Sequence, residues 1–505
     1  MPDSADLYPN DELNQTLLAN VHPPDWKNPE PAGRYNLVVI GAGTAGLVAA
    51  AAAAGLGARV ALVERHLMGG DCLNVGCVPS KAIIRSSRMA ADIRDAEKFG
   101  IIVPPGTKVD FTAVMARMRR LRAKLSPHDS ARRFQELGVD VFLGDARFSG
   151  RDTVEAAGKQ LRFKKAVIAT GAKAVIPPIE GLAEAGFFTN ETIFNLTEQP
   201  RRLAVLGGGP LGCELAQAFS RLGCEVTMIE IHSQFLPRED PQVARLLAEV
   251  LTREGITIRL GTRLRCVTTG GDGKTLHLES SDKEEVVKVD AILVGTGRAP
   301  NIGGLNLESA GVNYSQAGVI VSDRLQTTNS RIFAAGDVCL QYKFTHTADA
   351  TARIVIQNSL FLGRKKLSAL TIPWCTYTDP EVAHVGLSEQ GARLRNVPVT
   401  TFQIPLDSVD RAVFDGEDQG FARIHVRPGT DRILGATIVA RHAGNIISEI
   451  SLAMVHNIGL GGIAKVIHPY PTQAEVIKKA GDVYSRTRLT PSVERLFTRW
   501  LTWRR

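Results

Sequence analysis

Leu37-Val38-Val39-Ile40-Gly41-Ala42-Gly43-Thr44-Ala45-Gly46 joins an apolar run to three spaced glycines. Four consecutive apolar residues read as a strand buried on both faces, the habit of a parallel sheet. Glycines at 41, 43 and 46 let the backbone turn sharply and approach a pyrophosphate, whose charge suits the amino end of the alanine-rich helix that follows. A second strand, Arg59 to Val63, ends at Glu64, which stands 23 positions after Gly41. A carboxylate at that distance is placed to accept hydrogen bonds from a ribose diol. Spaced glycines alone are a weak signal. Strand, glycines, helix, strand and acid in this order outweigh a chance glycine turn.

The pattern then repeats. Leu203-Ala204-Val205-Leu206 precedes Gly207-Gly208-Gly209-Pro210-Leu211-Gly212, a helix, and the strand Glu225 to Ile229 ending at Glu230, again 23 positions from its first glycine. Two matched units imply two nucleotides, and with the cysteine pair 72/77 between them the economical pairing is FAD with a nicotinamide. Glu230 favours NADH, because a carboxylate repels the 2′-phosphate of NADPH. His232 and Arg238 keep NADPH open. Further strand ends join the site: Thr170 and Gly171 after Ala166–Ala169, and Gly297 after Ala291–Val294. Asp337, which closes Ile332–Gly336, suits a polyol such as a flavin's ribityl chain, or else is an ordinary helix cap.

Between the two units lies Gly69-Gly70-Asp71-Cys72-Leu73-Asn74-Val75-Gly76-Cys77-Val78-Pro79-Ser80-Lys81. We read Cys72 and Cys77 as a redox pair facing the flavin. An ideal helix separates positions five apart by ~7.5 Å along its axis, too far for a disulfide, so the turn must be distorted. Gly76 and Pro79 supply the means. Zinc is the rival, but a structural site needs four ligands and no second Cys or His pair is near. A pair of inert buried cysteines is the plain alternative.

The 505 residues, 44% hydrophobic, are enough for three or four domains. Seven cysteines, scattered apart from the 72/77 pair, argue for a reducing compartment, so a cytoplasmic protein is expected. No signal-peptide core or membrane-spanning run is visible. The net charge of +8 comes from 60 basic and 52 acidic residues interspersed, which gives no nucleic-acid pattern. Residues 1–34, with Pro23, Pro24, Pro29 and Pro31, predict an irregular extension. Ile83–Glu97 and Phe111–Leu137 predict helices, the second with Arg117, Arg119, Arg120, Arg122 and Lys124 on a solvated face, an anionic partner being the alternative. From Leu367 alternating strands and helices indicate a separate α+β domain. Val493, Leu496, Phe497, Trp500 and Leu501 form one helical face in a basic tail, suited to docking on the protein's own surface or a dimer mate, or to peripheral membrane contact through 489–505.

From residue 35 to 485 the order of motifs resembles the flavin-dependent pyridine nucleotide–disulfide oxidoreductases, the family of glutathione reductase, lipoamide dehydrogenase and mercuric reductase. The CxxxxCxPxK signature at Cys72–Lys81 is the most specific element. The resemblance implies an α/β fold with two Rossmann-like nucleotide-binding domains and a carboxyl-terminal α+β dimerisation domain. The expected divisions are an extension (1–34), an FAD domain in two parts (35–185 and 304–366), an NAD(P) domain (186–303), a dimerisation domain (367–485) and a basic tail (486–505). It also implies FAD bound by Gly41, Gly43, Gly46, Glu64 and Asp337, and NAD(P)H at Gly207, Gly209, Gly212 and Glu230. The same resemblance implies a homodimer, with Cys77 against the flavin, Cys72 toward substrate, and Lys81 near the flavin paired with Glu214.

Three departures bear on the substrate. Tyr470 stands where disulfide reductases have a histidine before Pro471-Thr472-Gln473-Ala474-Glu475, and a phenol is a poor base at neutral pH. His468 is the alternative base, seven positions from Glu475 rather than the family's five. A tyrosine there resembles mercuric reductase, yet no cysteine precedes Cys72 or follows Cys375 to supply that enzyme's other cysteine pairs. Pro210 replaces the tyrosine that often shields the flavin. The expectation is an NADH-dependent flavoenzyme passing electrons through Cys72 to a metal ion, disulfide or other small acceptor, with lipoamide dehydrogenase and a membrane-docked electron-transfer flavoprotein as alternatives.

Overall fold

The apolar run at Leu37 lies in strand β1 (Arg34–Ile40), an inner strand of a seven-stranded sheet. The structure is a computed structural model describing residues 7–31, 33–271, 273–281 and 283–505. It divides into two units, Met1–Ser233 with Glu254–Leu370, and Gln234–Arg253 with Thr371–Arg505.

In the first unit, helix α1 (Glu12–Val21) precedes β1, and α2 (Thr44–Gly55) and β2 (Val60–Glu64) follow it. Then come α3 (Gly70–Asn74), α4 (Cys77–Arg94), α5 (Phe111–Leu125), α6 (Ala131–Glu136), and strands β3 (Val139–Leu143), β4 (Ala146–Gly150), β5 (Thr153–Ala156) and β6 (Lys159–Ile168). The sheet order is β3-β2-β1-β6-β5-β4. Its first four strands are parallel, while β4, β5 and β6 form an antiparallel meander. Ala49, Ala50 and Ala53 of α2 are buried, their small side chains allowing close packing in the core.

The second nucleotide fold repeats this plan. Strand β7 (Ala172–Ala174) and α7 (Leu182–Ala185) lead to β8 (Arg202–Leu206), α8 (Pro210–Arg221), β9 (Glu225–Ile229), α9 (Pro241–Arg253) and β10 (Thr257–Arg259). Strands β11 (Arg263–Gly270), β12 (Gly273–Glu279) and β13 (Glu284–Val289) form a meander before β14 (Ala291–Val294). The parallel sheet runs β10-β9-β8-β14. The chain returns through β15 (Arg298–Pro300), which pairs with β7, and a small hairpin, β16 (Tyr314–Ser315) with β17 (Gly318–Val319). Strand β18 (Ile332–Ala334) then joins β6, and α10 (Thr345–Leu360) packs on α2.

The second unit is built on a five-stranded antiparallel sheet. Its strands are β19 (Pro373–Thr376), β20 (Glu381–Gly386), β21 (Thr400–Pro405), β22 (Phe421–Val426) and β23 (Ile433–Ala440), in the order β19-β20-β23-β22-β21. Short helices α11 (Glu389–Leu394) and α12 (Asp410–Phe414) lie in its connections. After them come α13 (Ala443–Val455), α14 (Leu460–Ile463), α15 (Glu475–Thr487) and α16 (Pro491–Trp503), with α13 and α15 packed on the sheet. Helix α9 belongs to this unit although it is flanked in sequence by the second nucleotide fold. Asp240 meets Arg423 at 3.1 Å, and Glu239 accepts a hydrogen bond from Trp374 at 2.6 Å.

Four local expectations need correction. The extension is not irregular throughout, because Asp11 caps α1 by accepting from the Asn14 amide at 2.9 Å. The predicted helix 111–137 is two helices, since Pro127 offers no amide proton and Ser130 starts a new cap. Arg119 and Arg122 are not on a solvated face: both are buried, where α1 packs on α5. No residue of α16 is buried, so its apolar face does not dock on its own chain.

Candidate active site

The two glycine turns have the same geometry. Gly41 N donates to Val63 O at 2.8 Å, and Gly207 N donates to Ile229 O at 2.8 Å. Their φ values of +100° and +103° are left-handed, which glycine adopts without strain. A Cβ on Gly46 would lie 1.8 Å from Gly41 O, and one on Gly212 would lie 2.1 Å from Gly207 O, so each third glycine is where helix and turn touch. The acids match as well. Glu64 Oε2 accepts from Ala42 N at 2.6 Å and Oε1 from His66 N at 2.9 Å; Glu230 accepts from Gly208 N at 2.6 Å and His232 N at 2.9 Å. Each carboxylate is thereby aimed by the turn it serves.

The cysteines flank a break between two helices. Cys72 lies in α3, Val75 and Gly76 are non-helical, and Cys77 opens α4. A Cβ on Gly76 would stand 2.7 Å from Asp71 O, so the chain doubles back tightly there. Pro79 falls in the first turn of α4, where a missing amide proton costs nothing. Both cysteines are free thiols. Cys77 Sγ lies 3.3 Å from Thr345 Oγ1, on the first residue of α10. Lys81, one turn along α4, donates to Glu214 Oε2 of α8 at 2.8 Å, and Glu214 is buried.

These surroundings separate the two thiols. The hydrogen bond from the Cys72 thiol is the main cause that lowers Cys77 to about 6, helped by Thr345 and the Lys81 charge against partial enclosure and Glu214. Cys72, the donor of that bond, is driven up, with burial adding to the effect. The reduced pair at neutral pH is therefore a thiol on Cys72 and a thiolate on Cys77.

Thr170 and Gly171 lie beside Asn301, Thr170 Oγ1 donating to its carbonyl at 2.7 Å, while Gly297 O accepts from Val175 N at 3.0 Å. Arg298 binds Asp71, just before Cys72, and lies 3.9 Å from Asp337. Burial raises Asp337, and the charge of Arg298 opposes this. The residues of the last motif lie in the second unit. There His468 Nε2 is within 3.0 Å of Glu449 Oε1, and the Tyr470 hydroxyl donates to Asp410 at 2.8 Å. His468 is thus matched with Glu449, not with Glu475, whose Oε2 is buried without a hydrogen-bond partner. The hydrogen bond to Asp410 raises the Tyr470 phenol, further from use as a base.

Residues 35–352 match the family described as pyridine nucleotide-disulphide oxidoreductase, and residues 372–481 match its dimerisation domain. The chain belongs to this family. The oxidoreductase is 35% identical over 455 residues to a mercuric reductase of Staphylococcus aureus, covering 90% of this chain and 83% of that one. It is 33% identical over 453 residues to a dihydrolipoyl dehydrogenase of Chlamydia muridarum, covering 88% and 95%. Among solved structures it resembles the HOCl-induced flavoprotein disulfide reductase RclA of Escherichia coli in its Cu(II) complex, with a TM-score of 0.79, 28% identity and coverage of 88% and 98%.

The family uses FAD and NAD(P)H. The oxidoreductase fits both. Gly43 and Gly209 cap α2 and α8 without any side chain, leaving first-turn amides to serve a phosphate. A Cβ on Gly209 would meet nothing within 4 Å, so the space above that turn is open. Thr345, Arg298 and Asp71 belong to the surroundings of the cysteines although no sequence motif marks them. Thr345 lies 268 positions from Cys77 in no motif, so no local signal marks it.

Proposed function

We propose that this flavoprotein disulfide oxidoreductase carries an electron pair from NADH to the Cys72–Cys77 disulfide and from Cys72 to a small, thiol-seeking acceptor, a soft metal ion such as Hg(II) or a disulfide. FAD, held by the turn of Gly41, Gly43, Gly46 and Glu64, would supply hydride acceptance from a reduced nicotinamide and two-electron transfer to the cysteine pair. Reduction breaks the S–S bond with two electrons and one proton, leaving a thiol on Cys72 and a thiolate on Cys77. The observation that carries this reading is the placement of Cys77 at the start of α4, 3.3 Å from Thr345 Oγ1 and one turn from the Lys81–Glu214 ion pair, surroundings that favour its thiolate while Cys72 keeps the proton until it meets the acceptor. Lys81 orients positive charge toward the thiolate, and Glu214 holds that lysine in place.

The mercuric reductase similarity supports a metal acceptor, as does Tyr470, a weak base. The dihydrolipoyl dehydrogenase similarity, at nearly the same identity, supports the runner-up. Glu230 supports NADH over NADPH. The dimerisation match, together with exposed Val413, Phe414, Ile467 and Tyr470, supports a homodimer, and the scattered cysteines support a cytoplasmic location. The test is anaerobic NADH titration followed by an acceptor panel of Hg(II), lipoamide, glutathione disulfide and a quinone. A long-wavelength thiolate–flavin band that Cys77→Ser abolishes is expected; its absence from the native protein would overturn the redox role. Efficient lipoamide turnover would select the runner-up.

A second reading, peripheral contact with an anionic membrane, rests on α16. Leu496, Phe497, Trp500 and Leu501 are all exposed on it, beside Arg495, Arg499, Arg504 and Arg505. No helix among the described residues is long and apolar enough to cross a membrane, so such contact would be interfacial. Flotation with vesicles containing anionic lipid, using the full chain and Trp500→Ser/Phe497→Ser, tests it. Equal binding by both would remove it.

A further inference from the structure

Residues 9–30 precede the family match, which begins at residue 35, yet they are tied to the loop that bears the cysteines. Asn14 and Arg122 form the tightest link. Arg122 of α5 is fully buried; its Nη2 donates to Asn14 Oδ1 at 2.6 Å, and its Nη1 donates to Asn74 O at 2.8 Å. Asn74 ends α3, two residues after Cys72 and three before Cys77. Its own amide group donates to Met68 O at 3.0 Å and Gly70 O at 2.9 Å. Met68 N in turn donates to Val21 O at 3.1 Å, at the far end of α1.

These bonds close a ring: α1 at Asn14, Arg122, Asn74, Met68, and α1 again at Val21. Two further bonds keep α1 in register. Asp11, its cap, pairs with buried Arg119 at 2.7 Å, and Asn14 Nδ2 donates to Pro9 O at 2.7 Å. Beyond α1, Trp26 Nε1 donates to Val141 O at 3.2 Å, and Asn28 exchanges bonds with Leu143 at 2.9 and 2.7 Å, covering the β3 edge of the sheet. Neither hydrogen-bond partner of Arg122 is a carboxylate. A buried guanidinium held by two neutral acceptors is a costly way to make a mere packing contact. It is an effective way to fix one carbonyl in space, because the planar fork holds two acceptors at set angles.

We propose that Arg122, braced by Asn14 of the amino-terminal extension, is a positioning residue of the redox loop: by gripping the Asn74 carbonyl it sets the approach of Cys72 to Cys77. The extension is then a working part of the active-site scaffold. This rests on Cys72 and Cys77 being the redox pair. With the grip released, α3 is free to shift, and the Cys72 thiol no longer donates steadily to the Cys77 sulfur. The other charges that reach Cys77, Lys81 and Glu214, stay on α4 and α8, and Asp129, which reaches Cys72, stays beyond α5.

The test measures the pH dependence of iodoacetamide alkylation at Cys77 in the reduced, full-length holoenzyme, located by peptide mass. Arg122→Met is expected to raise the alkylation midpoint by about one pH unit, a tenfold loss of thiolate at a given pH below it. Asn14→Ala should move it the same way by less, and Arg122→Lys, which keeps the charge and one donor, should restore part of the shift. Arg119→Met, which cuts the Asp11 pair but leaves the ring intact, should lower thermal stability without moving the midpoint. If Arg122→Met does not fold, Asn14→Ala and Arg122→Lys decide. An unchanged midpoint in the folded Arg122 and Asn14 variants, or an equal shift in Arg119→Met, would overturn the proposal. A native enzyme whose Cys77 alkylates like an ordinary thiol would instead overturn the redox reading beneath it.

Discussion

Lys81 Nζ lies 2.8 Å from Glu214 Oε2, joining the helix that begins at Cys77 to the helix that begins at the second glycine turn. The two are 133 residues apart in sequence. Glu214 is buried while Lys81 is about one-third exposed, so the pair acts as a fixed anchor with a solvent-facing charge. Lys81→Met removes a charge that favours the Cys77 thiolate. With solvent screening the expected rise in the Cys77 midpoint is about half a pH unit. Stopped-flow alkylation checks it, and no rise would mean the charge does not reach the sulfur.

Cys77 supplies the pH dependence. Its value near 6 lies below that of an ordinary thiol, so the ionised form is populated above about pH 6 and lost as pH falls through that value. The thiolate–flavin band should therefore fade on acidification with a midpoint near 6. Because the Cys72 thiol is the main cause of the depression, Cys72→Ala should move that midpoint upward more than Lys81→Met does. Spectral titration from pH 5 to about pH 9 separates the two effects.

Gly46→Ala and Gly212→Ala put a methyl where no space exists, 1.8 Å and 2.1 Å from a carbonyl oxygen. Each should cost about 3 kcal/mol or more, beyond the usual range for overpacking because backbone must move. Their functional effects should differ. Gly46→Ala should purify with little flavin, and Gly212→Ala should keep its flavin but lose reduction by NADH. Flavin absorbance per chain and NADH titration read these outcomes. Similar flavin loss in both would contradict the assignment of the two turns.

Tyr470 and His468 differ in their surroundings, and so should their variants. Tyr470→Phe removes an exposed hydroxyl bonded to Asp410 and should leave flavin reduction by NADH unchanged. His468→Ala deprives Glu449 of its partner and should cost about 1 kcal/mol of stability, with no loss of flavin reduction. If His468→Ala instead abolishes turnover with lipoamide while leaving Hg(II) turnover intact, His468 is the base for disulfide substrates. Rapid-reaction kinetics with each acceptor gives the answer.

The specificity of Glu230 is also measurable. Its carboxylate is oriented by the Gly208 and His232 amides, so Glu230→Ala should narrow the preference for NADH over NADPH, about tenfold in the ratio of kcat/KM. A native enzyme that prefers NADPH would transfer the role to His232 or Arg238.

The two nucleotide turns are legible in the residues alone, because their physics is local. A strand, three glycines, a helix and an acid 23 residues on constrain one another through bonds such as Gly41 N to Val63 O and Ala42 N to Glu64. The cysteine turn was legible for the same reason, since Gly76 and Pro79 mark the break that brings Cys77 to the start of a helix. The surroundings of the sulfurs come from long-range packing. Thr345 reaches Cys77 across 268 residues, and nothing in its own neighbourhood of sequence announces it. Arg122 shows the limit most clearly. Helical periodicity put it among arginines read as solvated, and only the packing of the amino-terminal helix turned it inward, where burial makes its two hydrogen bonds obligatory and sets them on the loop between Cys72 and Cys77.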